Sequence, residues 1–111
     1  MNITDGQVAA IREWAESHSS CVLGVHLFGS RARGDHRADS DIDIAILLDT
    51  RDADPPLMGR CFGLYIAVGD DWQEELSRRL GVHVSLEAYG EDDDGWLPDA
   101  VGREGIRLWP T

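Results

Sequence analysis

Residues 41–48 read DIDIAILL, and this segment constrains the fold more than any other. Successive side chains of a strand point to opposite faces. Ile42, Ile44, Ile46 and Leu48 therefore share one face, and Asp41, Asp43, Ala45 and Leu47 share the other. The first face is wholly apolar and demands a covering layer. The second carries two carboxylates at one end. The Asp-rich residues 49–54 and Pro55-Pro56 then stop the strand.

The rest of the chain builds around this strand. Residues 21–28, CVLGVHLF, are nearly all apolar and read as a strand covered on both faces, with His26 expected as a satisfied core histidine. They run into Gly29-Ser30 and a polar, Arg-rich stretch expected as a short helical turn plus loop. Residues 4–19 read as a helix. Thr4 and Gln7 have capping-box spacing, and Val8, Ile11, Ala15 and His18 form one stripe flanked by Trp14. Between 57 and 80, the residues Leu57, Cys61, Leu64, Tyr65, Val68, Trp72, Leu76 and Leu80 recur at helical offsets. Gly69 costs a helix about 1 kcal/mol, so a break near Gly69-Asp70 is expected. Residues 82–89, VHVSLEAY, alternate as a third strand, and a short helix follows near 98–104 before a C-terminal tail. The order α-β-β-α-β-α predicts an α/β (α+β) fold: a small mixed β-sheet with helices packed on one face. At 111 residues there is room for one core, so residues 1–111 are expected to form a single domain.

Charge narrows the function classes. Ten basic residues, all Arg, stand against 21 acidic ones, for a net charge of -11. Such a surface repels nucleic acid, whose non-specific binding depends on neutralising phosphates, and repels anionic membranes. No apolar run approaches the ~18–20 residues of a membrane span, and the N-terminus lacks a basic region followed by an apolar stretch. A cytoplasmic location is the expectation. Cys21 and Cys61 have no metal-like spacing, and each is expected as a small buried hydrophobe rather than half of a bridge.

The chemistry concentrates in one stretch. A strand ends at Gly29-Ser30, a turn whose backbone N–H groups suit phosphate oxygens. Ten residues later the next strand presents Asp41 and Asp43 on one face, where mutual repulsion makes them costly without a cation. Magnesium prefers one or two carboxylates plus substrate phosphates, and a pair of such ions stabilises the attacking and leaving oxygens of an in-line displacement. Arg31, Arg33 and Arg37 fall between the turn and the Asp pair, so positive charge of an acidic chain gathers beside a turn that suits phosphate.

The segment GSRARGDHRADSDIDIAIL resembles the signature of the DNA polymerase β-like nucleotidyltransferase superfamily, and most closely that of the minimal nucleotidyltransferases (MNT). The resemblance rests on Gly29, Ser30, Ala32, Gly34, Ser40, Asp41 and Asp43, with the ending REGIRLW similar to the tail of many such proteins. It implies that Gly29 and Ser30 bind the β,γ-phosphates of a nucleoside triphosphate. It implies that Asp41 and Asp43 ligate Mg²⁺, two ions being expected, and set the α-phosphate for attack. Arg31 and Arg33 are placed to reach phosphates. The family pattern also includes a third carboxylate on the next core strand. Here the best-matching position is Ser85, with His83 and Glu87 two residues to either side, so either Glu87 substitutes or the third carboxylate is missing.

A nucleotidyltransferase this short has little room for an acceptor-binding domain. The resemblance therefore implies AMP transfer from ATP to a protein, with the chain as antitoxin to a helical HEPN-type toxin. The acidic surface suits a basic partner. The alternative is a binding module of the same fold that neutralises its partner without catalysis. Open edges in so small a sheet also admit a homodimer.

Overall fold

A computed structural model of the chain describes residues 2–35, 37, 39–51 and 59–110. Helix α1 (Asp5–Ser17) begins with the expected reciprocal cap. The Gln7 backbone N–H donates to Thr4 Oγ1 at 3.0 Å, and the Thr4 N–H donates to Gln7 Oε1 at 2.9 Å. Strand β1 (Val22–Phe28) follows, then the single turn α2 (Ser30–Arg33) and strand β2 (Ile42–Leu48). Helix α3 (Arg60–Leu80), strand β3 (Val84–Gly90), helix α4 (Trp96–Glu104) and strand β4 (Ile106–Trp109) complete the described chain. The strands lie in the order β3-β2-β1-β4. β1 is antiparallel to both β2 and β4, and β2 is parallel to β3.

The apolar face of β2 behaves as its period dictates. Ile42, Ile44, Ile46 and Leu48 are fully buried in one core with Ile11 and Trp14 of α1 and Trp72 and Leu76 of α3. The mixed sheet agrees with expectation, but helices pack on both of its faces and not on one. The structure adds a second, smaller core on the other face, where Leu97 and Ala100 of α4 cover Phe28 and Ala45. Asp43, on that same face, is left half-buried.

Five further expectations are corrected. The C-terminal tail is strand β4, because Ile106 and Arg107 find unpaired backbone on β1. The helix expected from 57 starts at Arg60, and Leu57 lies outside the described residues. It also runs unbroken through Gly69. The Tyr65 ring packs over that position so closely that a Cβ would stand 2.9 Å from it, and this packing offsets the helix-weakening cost of glycine. Cys21 and Cys61, each 1% exposed, are joined as a disulfide across 40 residues. They enter the same core from the start of β1 and the start of α3, a meeting that their spacing does not encode. His26 is only half-buried, and its Nδ1, shielded from solvent, has no hydrogen-bond partner among the described residues. Burial, and then the nearby Arg107 charge, hold its pKa below the usual histidine value.

Candidate active site

The site forms where β1 ends beside the start of β2. Gly29 leaves the strand at φ 75°, ψ -158°, a backbone region open essentially to glycine alone, and this turns the chain into α2. Gly34 closes that turn at φ 85°. Antiparallel register sets Phe28 opposite Asp43, so the Asp43 carboxylate lies directly on Gly29. A Cβ on residue 29 would overlap Asp43 Oδ2. Gly29 thus serves both the turn and the close approach of a carboxylate to a phosphate-binding type of backbone.

The carboxylates come together on the open face. Asp43 is half-buried, and burial raises its pKa above the ordinary aspartate value. Repulsion from Asp41 adds to this, Arg33 opposes it, and Glu104 and Glu87 raise it further. Asp41 precedes β2 by one residue and is half-exposed, with Oδ2 3.2 Å from His83 Nδ1. The His83 carbonyl accepts from the Ile42 N–H at 3.0 Å, which holds the two segments in register. In the parallel pairing with β3, Ser85 stands opposite Asp43 and Glu87 opposite Ala45. Glu87 therefore shares the face but sits two residues further along. The position facing Asp43 carries a hydroxyl and not a carboxylate.

The two arginines part company. Arg31 is 8% exposed, and its guanidinium donates from Nε and Nη2 to the Ser40 carbonyl (3.1 and 2.8 Å) and from Nη1 to the Asn2 carbonyl (3.1 Å). It clamps the loop just before Asp41, and those donors are not turned to phosphate. Arg33 is half-exposed, bound to Glu104 at 2.7 Å and to Asp35 at 3.1 Å, and lies near enough to Asp43 to lower its pKa. Glu104 is a member of this cluster that sequence reasoning missed. It falls in the tail segment REGIRLW, but it lies 71 residues from Arg33, at the end of α4, and the segment alone does not show that it meets Arg33.

Repulsion among these acids is compensated only partly by Arg33. Among the described residues, no group of three or more His, Cys, Asp or Glu side chains gathers as a metal site. Asp41 and Asp43 form an open pair, the donor set that suits Mg²⁺ completed by substrate phosphates.

The family model for the nucleotidyltransferase domain matches residues 8–108, a span holding the turn, the Asp pair and all four strands but for Trp109. The chain belongs to the nucleotidyltransferase domain family. Solved structures agree. A toxin-antitoxin complex crystallised with AMP-PNP is 26% identical, with a TM-score of 0.68 over 94% of this chain and 73% of that one. A mutant of the toxin-antitoxin pair MntA-HpeT shares the fold at 24% identity and a TM-score of 0.67, over 94% of this chain and 73% of that one. A nucleotidyltransferase described as putative, from Sulfolobus solfataricus, shares it at 23% identity and a TM-score of 0.53, over 98% and 91%. A comparison with curated proteins gives no match. No helix among the described residues is long and apolar enough to cross a membrane.

A shallow groove of about 210 Å³ adjoins the candidate site at Glu87. Glu87, Tyr89, Trp96 and Pro98 help to line it, and it continues past Asp94 toward Asp99.

Proposed function

We propose that the chain moves AMP from Mg-ATP to a hydroxyl of a protein partner, the HEPN-type toxin of a toxin-antitoxin pair. The observation that carries this reading is the Asp43 carboxylate seated on Gly29 beside Asp41. It sets a carboxylate of the kind that suits a metal against a turn of the kind that suits phosphate. The 26% identical toxin-antitoxin structure with AMP-PNP supports the nucleotide and the kind of partner.

Asp41 and Asp43 would hold magnesium, which supplies charge neutralisation of the α-phosphoryl group and of the departing oxygen. Backbone N–H groups of the Gly29-Ser30 turn receive β,γ-phosphate oxygens, and Arg33 exchanges its carboxylate partners for phosphate. Arg31 keeps the loop before Asp41 in place. The acceptor oxygen forms a bond to the α-phosphorus while the bond to the bridging oxygen breaks. Pyrophosphate leaves with that electron pair, and the hydroxyl proton passes to Glu87. Incubating the protein with Mg-ATP and its purified toxin, followed by intact-mass measurement, tests the reading. A gain of one AMP on the toxin is expected, and its absence from a toxin that nevertheless forms the complex would sink catalysis.

A second reading has one observation in its favour. Ser85, opposite Asp43, leaves that position without a carboxylate. On this reading the chain neutralises its partner by binding alone, and Asp41→Ala with Asp43→Ala preserves neutralisation.

A further inference from the structure

The groove beside Glu87 lies on the opposite side of Asp43 from the phosphate turn. Across the sheet the order runs from Gly29 at the end of β1, through Asp43 on β2, to Ser85 and Glu87 on the edge strand β3. Helix α4 covers the same face through Leu97 and Ala100, so its first residue, Trp96, stands over this end of the sheet. The Trp96 ring lies 6.3 Å from that of Phe28, the register partner of Asp43. Yet Trp96 is 65% exposed, an aromatic surface left uncovered next to the reacting carboxylates. Tyr89 and Pro98 supply further apolar wall.

In an in-line displacement the entering oxygen approaches opposite the leaving group. Pyrophosphate held on the Gly29-Ser30 side leaves the β3 side for the acceptor. The rim there is acidic, with Glu87, Asp93, Asp94 and Asp99, of which Asp99 is paired with Arg103 at 3.5 Å, and no arginine is among the described residues that line the groove. A triphosphate is repelled from such a groove, and so is a second copy of a chain with net charge -11. A cationic, hydroxyl-bearing polypeptide is favoured on both counts, because aromatic faces and carboxylates both attract cations.

We infer that the Trp96–Glu87 groove is the acceptor subsite and takes a basic polypeptide segment, delivering its hydroxyl to the β3 side of Asp43. The inference rests on the transferase reading for its role, but binding to the groove is measurable without any transfer. The probes are a lysine-tyrosine random copolymer and a glutamate-tyrosine copolymer. Each is titrated against the full chain by calorimetry, and each is offered as acceptor with α-labelled Mg-ATP. Trp96→Ala and the pair Asp94→Asn with Asp99→Asn perturb the groove. The pair Asp70→Asn with Asp71→Asn changes the net charge equally on exposed α3 positions. The lysine copolymer is expected to bind the wild type about tenfold more tightly than either groove variant, with the α3 variant within about twofold. Equal loss in the α3 variant, no loss in the groove variants, or equal binding of the glutamate copolymer would overturn the inference. Groove-dependent binding without label transfer would count against the transferase reading while leaving the basic-segment subsite standing.

Discussion

Replacing Gly29 by alanine separates two demands that the structure makes on one residue. The first is conformational. At φ 75°, ψ -158° a side chain costs about 1–3 kcal/mol. The second is spatial. The new Cβ would overlap Asp43 Oδ2, so the carboxylate must swing off its preferred rotamer or the strand end must shift, at about 0.5–1.5 kcal/mol. Together these predict a loss of about 1.5–4.5 kcal/mol in unfolding free energy. Gly81→Ala is the control. Its φ of 72° is nearly the same, but nothing lies within 4 Å of the added Cβ, so it carries only a left-handed backbone cost of about 1–2 kcal/mol. Urea unfolding reads both variants, provided the slope is unchanged. Calorimetric titration with Mg-ATP then reads the site, where Gly29→Ala should bind far more weakly and Gly81→Ala like the wild type. If Gly29→Ala is no less stable than Gly81→Ala, or binds Mg-ATP normally, the contact between Gly29 and Asp43 is not what organises the site.

Three further predictions follow from the same structure. Reducing the Cys21–Cys61 bridge, which spans 40 residues including the whole Gly-Ser and Asp motif, should lower stability by about 4 kcal/mol on the chain-entropy relation, read as a urea midpoint with and without reductant; an unchanged midpoint after confirmed reduction would contradict it. Arg31→Lys should cost about 1.5–3 kcal/mol in unfolding free energy, because one ammonium cannot reproduce the paired contacts to Ser40 and the third to Asn2, and the residual native protein should bind Mg-ATP with little change; a selective loss of ATP affinity would instead give Arg31 a direct phosphate role. His26 has a folded-state pKa below its unfolded value of about 6.5, so the unfolded chain takes up the proton first on acidification. Its contribution to stability is complete above pH 6.5 and declines as the pH falls through that value toward the lower folded one, and His26→Phe should remove this part of the pH dependence in urea midpoints between about pH 5 and 8.

Much of the site was legible because its chemistry is local in sequence. Period two put Asp41 and Asp43 on one face, and a Gly-Ser pair after an apolar strand marks a turn rich in free N–H groups. Reading Arg31 and Arg33 as equivalent failed for a physical reason. Neighbouring residues on a single helical turn point in different directions, and burial of Arg31 became visible only once Asn2 and Ser40 were brought beside it. Glu104 stood in the tail segment REGIRLW, but its place beside the Asp pair was not legible for a related reason: its partner is 71 residues away.

By itself, the sequence determined the elements whose cause is short-range: the Thr4 cap, the alternation of β2 and β3, the helical stripe of α3 and the two carboxylates. These follow from the backbone periods of helix and strand and from side chains that reach only a few residues. Tertiary structure decided what depends on which surfaces meet. It paired the C-terminal tail with β1 and joined Cys21 to Cys61, while the Ser85 register opposite Asp43 agreed with the position the family pattern had matched. It also laid Trp96 open beside Phe28, the register partner of Asp43. Such meetings arise from packing two apolar faces of one sheet at once, a condition on the whole chain that no local pattern contains.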